Sequence, residues 1–390
     1  MAGELTERQA FLVLNALPGI GPITLNRLLA EFGGDPRAIL SAPAQRVQSV
    51  EGVKPGAASA VVEWRKHFDP AKEEDRMKRS GADFLIPGDP AYPRSLREIH
   101  DPPIGLYRKG SYGITDRCVA IVGSRRATLY GQSVARKLGA ELAARGFCVV
   151  SGMARGIDTA AHEGALEAKG KTVAVLGTGL DIIFPPENLG LYRKIAETGA
   201  ILSEFAFGRP ADKQSFPMRN RVVSGLSEAI VVVESDVHGG AMITARFAGE
   251  QGRLLFAVPG RIDQSTSAGC NQLIRDGATL LTSVEDLLEE IKWQDGRGPE
   301  LALGAGREDE TPKAIRRREA NGAATEDLPA GLTSDEAKVL ECFRGGEMPT
   351  ADALAERTGL SAAKVGVALV LLEMKQRVVK RADGGFEQCE

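Results

Sequence analysis

Residues 119–158 read VAIVGSRRATLYGQSVARKLGAELAARGFCVVSGMARGID. Two short apolar runs, Val119–Val122 and Phe147–Val150, each pass into a glycine-containing turn and then into a helical stretch. That order brings strand ends, backbone N–H groups and helix N-termini to one edge of a parallel sheet, an arrangement suited to phosphate. Outward from this unit, TVAVLG, AILSEF, AIVVVES, RLLFAVPG and ATLLTS repeat the strand signal, with a helical run before each. Strands so uniformly apolar are buried on both faces, as in a parallel sheet between helical layers. The expected fold is α/β: a doubly wound, extended Rossmann-like parallel sheet over residues 71–291.

The flanks differ in character. Residues 1–70 carry FLVLNALPGIGPITLNRLLAEF and, about 33 residues later, VEGVKPGAASAVVEW. These resemble tandem helix-hairpin-helix units of a SAM-like helical domain. Such turns either grip a DNA phosphate through backbone N–H groups or simply close a small bundle. The proline-rich FLIPGDPAYPRSLREIHDPPIGLYRKG suits edge strands and extended connections. Residues 292–328, rich in glycine, alanine and charge, are expected as a flexible linker. Residues 329–390 give three helices and a Gly-Gly hairpin, the order of a winged helix, with Thr333 and Ser361 as N-caps of the first and third helices.

The chain has 390 residues, 43% hydrophobic and 26% charged, with a net charge of −3. A generally basic nucleic-acid coat is excluded, and any such site is local: residues 119–260 hold 16 Lys/Arg against 13 Asp/Glu. Five scattered cysteines without a CxxC pair signal neither a disulfide framework nor zinc. The charged N-terminus MAGELTERQA and the lack of a long apolar run point to a cytoplasmic protein with no membrane partner. The dinucleotide fingerprint is missing, since Gly123 is followed by SRRATLY before Gly131 and no carboxylate ends the second strand. Gly170-Lys171-Thr172 precedes a strand where a P-loop must follow one. Asp158 and His162, at i and i+4, suggest a metal or acid–base pair, but an aspartate at a helix start more often caps it. No catalytic set, metal site or cofactor is signalled.

What remains is a phosphate surface. Gly123-Ser124-Arg125-Arg126, Ser151-Gly152-Met153-Ala154 and His238-Gly239-Gly240 each follow a strand and converge on one edge. Between strands, Lys213-Gln214-Ser215-Phe216-Pro217-Met218-Arg219-Asn220-Arg221 crowds cations around an aromatic ring. Cations follow a phosphodiester backbone and a ring stacks on an unpaired base.

At these residues the sequence resembles the DNA-processing protein A (DprA/Smf) family, recombination mediators of natural transformation. The resemblance runs through GSRxxTxYG (Gly123–Gly131), SGMARGID (Ser151–Asp158), FPMRNRVVSGLS (Phe216–Ser227), GGAMITA (Gly239–Ala245), and VPG with GCNQLI and DGA (Val258–Ala278). It implies a core that binds single-stranded DNA with little sequence preference and helps load the RecA recombinase. By motif, Gly123, Ser124, Arg125, Gly152, Met153 and Ala154 are expected at phosphate, with Lys213 and Phe216 at backbone and base. Arg219, Asn220 and Arg221 are expected to contact DNA or to build the pocket. A homodimer is implied, its interface near Asn271, Leu273, Ile274 and Leu280. The winged helix carries few cations on its third helix, which suits a protein partner better than duplex reading. The rival class is a Rossmann-like nucleotide phosphoribohydrolase, which needs a carboxylate in the glycine-rich loop; the nearest are Glu234 and Asp236. A duplex-binding transcription regulator is the third reading.

Overall fold

The computed structural model describes residues 5–114, 117–294, 332–343, 349–381 and 385–388. It contains two compact units, Met1–Pro299 and Glu300–Glu390. The expected linker lies almost wholly outside the described residues, as does part of the Gly-Gly turn.

The first unit is built on a nine-stranded sheet. Its strands are β1 (Ala82–Leu85), β2 (Leu106–Gly110), β3 (Cys118–Val122), β4 (Cys148–Ser151), β5 (Thr172–Leu176), β6 (Ala200–Ser203), β7 (Ala229–Val232), β8 (Leu254–Ala257) and β9 (Thr279–Leu280). The spatial order is β1-β2-β6-β5-β4-β3-β7-β8-β9. From β6 to β9 all neighbours run parallel, while β1 and β2 add an antiparallel edge. Alternation along each strand feeds two cores: Val119 and Ile121 of β3 pack on one face with Leu138 and Leu142, and Ala120 and Val122 on the other with Val222 and Val223. This burial on both faces explains why every residue of β3, β4, β5, β6 and β7 is buried.

The N-terminal helices share their core with the sheet. Phe11, Leu14, Leu28 and Trp64 belong to one apolar cluster with Phe84, Tyr107, Met153 and Phe207. Polar ties reinforce the contact: Arg8 pairs with Asp89 at 2.7 Å, and Asn15 donates to the Glu204 carbonyl at 2.7 Å. The first glycine turn packs on the helix that follows the second, Gly19 lying against Ala57. A Thr6 capping box starts the first helix, Glu7–Ala16.

In the second unit, helices Ser334–Glu341, Ala351–Thr358 and Ala362–Met374 and the antiparallel pair β10 (Val378–Lys380) and β11 (Phe386–Gln388) enclose Val339, Leu354, Leu369 and Phe386. Thr333 forms a capping box and Ser361 caps the third helix, as the sequence predicts. That third helix exposes Val367, Val370 and Met374. No helix among the described residues is long and apolar enough to cross a membrane.

Candidate single-strand groove at the sheet edge

The strand order reverses between β3 and β7, so the loops that follow them part at this point and open a crevice at the carboxyl ends of the strands. The predicted loops all arrive there. Gly123–Arg126 follows β3, Gly152–Ala154 follows β4 and His238–Gly240 follows β7. Helix Ser215–Leu226, which leads into β7, carries Phe216 on its first turn.

Three side chains form the exposed heart of the site. The Phe216 ring is half-buried against Gly177, just past β5. The Arg125 guanidinium lies over that ring at 4.8 Å from its centroid. Phe184, 40% exposed, stands beside it with ring centroids 5.7 Å apart. A cation stacked on one ring next to a second exposed ring offers both phosphate attraction and a face for bases. Lys213 is exposed near the start of the same helix. Phe184 escapes sequence reading because it sits in an irregular loop; its one signal is an aromatic residue followed directly by Pro185-Pro186.

The loop backbones behave differently from the expectation that they offer free N–H groups. Ser124 donates its N–H to the Glu234 carbonyl at 2.7 Å, clasping the β3 and β7 loops together. Gly152 and Ala154 donate theirs to the Asp158 carboxylate at 3.1 and 3.3 Å. Asp158 is therefore not the helix N-cap; Gly156 occupies that position and Asp158 folds back to fix the turn. Met153 is wholly buried, with φ of 55°, and its carbonyl accepts from Asn188 at 3.0 Å. Gly123 packs so closely that a Cβ would lie 2.6 Å from Ile157 and 2.9 Å from the Glu234 carbonyl. At the third loop, helix Gly240–Glu250 begins without a side-chain cap, and of its first-turn N–H groups that of Met242 turns back to the Gly239 carbonyl at 3.1 Å.

Arg219 and Arg221 lie inside, at 5% and 4% exposure. Arg219 donates to the carbonyls of Val175, at 2.6 Å, and Gly152, and its Nε donates to Asn220 at 3.0 Å. A Cβ on Gly152 would collide with this guanidinium. Burial pushes the Arg219 guanidinium below its ordinary value and the Asp158 carboxyl above its own, and the attraction between the two opposes both shifts. Arg221 pairs with Asp101 at 3.2 Å and with Glu204. Asn220 donates to the Gly240 carbonyl at 3.3 Å, joining this helix to the third loop. Arg219 thus ties its helix to the loop after β4 and to β5, and Arg221 ties it to Asp101 before β2 and Glu204 after β6.

Of the two carboxylates nearest the glycine-rich loop, Asp236 is exposed and accepts from the His238 N–H at 3.0 Å, and the other, Glu234, is engaged. Its two oxygens accept from the Thr128 N–H at 2.9 Å and hydroxyl at 2.6 Å. His162 and Asp158 face different partners. The wholly buried imidazole meets Thr172 at 2.6 Å through Nδ1, and Thr172 donates to the Val149 carbonyl at 2.7 Å. Nδ1 therefore carries the proton, and Nε2 is left without a partner. Burial lowers this histidine to about 3. Because the unfolded chain takes up the proton near pH 6.5 and the folded one does not, stability falls as pH drops from there toward 3. Urea titrations at pH 7 and pH 5 are expected to show a loss of about 2 kcal/mol from this group, absent in His162→Gln.

Of the expected interface residues, Leu280 is exposed on the edge strand β9, and Leu273 and Ile274 are half-buried on helix Ser265–Arg275. Asn271 spends its amide on the Gly260 N–H and carbonyl, at 3.2 and 2.9 Å.

A family model for DNA recombination-mediator protein A matches residues 83–292, more than half of the chain. The chain belongs to this family. A model for the DprA winged helix domain matches residues 323–384, agreeing with the second unit. A Protein Smf from Synechocystis is 37% identical over 291 residues, covering 73% of each chain. The crystal structure of DNA processing protein A from Streptococcus pneumoniae superposes with a TM-score of 0.65 at 32% identity, over 74% of this chain and 99% of that one. The homologue from Helicobacter pylori, described for its single-stranded DNA binding mode, superposes at 0.50 with 32% identity, over 55% and 96% of the two chains.

Proposed function

We propose that the chain binds single-stranded DNA with little sequence preference along the crevice between β3 and β7. In this role it acts in the cytoplasm, as a homodimer, to load the RecA recombinase onto DNA entering during natural transformation, without catalysing a reaction. The stack of Arg125 on Phe216, with Phe184 beside it, carries the reading. Its cation and ring faces suit any unpaired base and its phosphate, whereas a base held in a duplex has no face to give. Lys213 and the uncapped start of helix Gly240–Glu250 continue the attraction for phosphate on either side. Gly123, Ser124, Gly152, Met153, Ala154, Arg219 and Arg221 act as the frame that holds these groups in place. The engagement of Glu234 with Thr128, and of Asp236 with the His238 N–H, favours the binding reading over the phosphoribohydrolase rival. The dimer reading rests on exposed Leu280 at the sheet edge, with Leu273 and Ile274 behind it.

The test is competition. A labelled single strand bound by the full chain is expected to resist displacement by a duplex of the same sequence and to yield to an unlabelled single strand. Equal displacement by both would support the duplex-binding regulator instead.

A further inference from the structure

The helical bundle carries a second basic site that belongs to no predicted motif. Between the short helix Trp64–His67 and helix Pro70–Ser80 lies a cavity of about 300 Å³ whose lining includes Arg65, Lys66, Lys72 and Arg76, with Phe68 among them. All four cations are exposed and the ring is half-buried. Two carboxylates share the lining, Asp69 and Glu73. Both are engaged: Asp69 accepts from the N–H groups of Ala71 and Lys72 at 3.1 and 3.3 Å. Glu73, buried, accepts from the Phe207 N–H at 2.8 Å and from Arg76 at 3.4 Å. Lys66 is held by an exposed pair with Glu63, which competes weakly with an incoming anion. In a chain of net charge −3, this is a local excess of positive charge around an aromatic ring.

The cavity is joined to the crevice by one loop. Arg76 donates to the Phe207 carbonyl at 3.2 Å, and Glu73 holds the N–H of the same residue. From Phe207 the chain passes the exposed Arg209 and reaches the exposed Lys213 before Phe216. Lys213 lies six positions beyond Phe207, a span of at most about 22 Å even when fully extended. Asp212 pairs with Arg209 at 2.5 Å, but the same carboxylate also accepts from the N–H groups of Gln214 and Ser215. Along the chain, the exposed Arg209 and Lys213 thus follow the Arg76 contact at Phe207 and precede Phe216.

We infer that the single-strand groove continues over the helical bundle, and that the cavity at Arg65, Phe68 and Lys72 takes the phosphates and a base of the same strand beyond the crevice. This rests on the proposed function, since it extends the same path. The occupant is a single-stranded polynucleotide longer than the crevice alone holds.

Arg65→Ala with Lys72→Ala, in the full chain, removes two exposed cations from the far end of the path. Affinity is measured for oligothymidylates of about 8 and about 25 nucleotides across a salt series. The longer strand is expected to lose about tenfold in affinity, with the salt slope reduced by about 1.4, because each phosphate contact on a single strand contributes about 0.7. The shorter strand is expected to bind the variant as it binds the parent. Unchanged binding of both lengths, or equal loss on both, would overturn the extension while leaving the crevice reading intact. Failure of the parent chain to bind either oligonucleotide would remove both.

Discussion

Replacing Arg219 with methionine is expected to lower the stability of the first unit by about 3–5 kcal/mol, the cost of leaving a buried opposite charge and buried carbonyls uncompensated. The guanidinium is the only side chain among the described residues shown donating to both the Gly152 and Val175 carbonyls, and it faces the buried Asp158. Asp158 in turn fixes Gly152 and Ala154. Methionine fills much of the volume but supplies no donor, so both carbonyls lose this donor and Asp158 loses its counter-charge. Denaturant midpoints measure the loss. A variant as stable as the parent would show that the carbonyls find other donors and that Arg219 is not a strut. Lysine in its place is expected to recover only part of the stability, because one ammonium cannot reproduce the planar fork.

Phe216→Ala combined with Phe184→Ala is expected to weaken single-strand binding by about 2–6 kcal/mol, taking about 1–3 kcal/mol for each stacked base. Both rings are partly exposed, and Phe216 also supports Arg125. The double substitution therefore removes the stacking faces and the seat of the cation together, so the two single losses need not add. Fluorescence anisotropy with a mixed-sequence oligonucleotide measures the effect. Retention of parental affinity with intact folding would assign the rings to packing alone.

The architecture is legible in the sequence where burial is extreme. The five strands from β3 to β7 are apolar runs followed by turns, and a strand buried on both faces leaves little room for another pattern. The antiparallel edge of β1 and β2 is less distinct, because its prolines announce extended chain without specifying a partner. The shared core of the helical bundle and the sheet is not visible at all: Leu28 and Phe207 meet in one cluster although they are far apart in the chain.

The site is legible as a location and less so in its division of labour. Arg219 and Arg221 look like surface cations because arginine is usually solvated. Their acceptors lie at Gly152, Val175, Asp101 and Glu204, which local pattern cannot pair with them. The glycine turns point to the sheet edge, yet Asp158 and Glu234 consume donors that the turns alone offer. Phe184 is hidden by the opposite problem, since an exposed ring in an irregular loop carries no periodicity. In the proposed function, side chains make the grip and the glycine loops keep the edge in shape.

The most direct measurement is the affinity of Arg125→Ala with Lys213→Ala for oligothymidylate, oligoadenylate and a mixed strand over a range of salt concentrations. The expected result is an equal loss on all three and a shallower salt dependence, by about 1.4 in slope for two lost phosphate contacts. Loss confined to one sequence, or a salt dependence identical to that of the parent chain, would contradict a sequence-tolerant grip on the phosphate backbone at this edge.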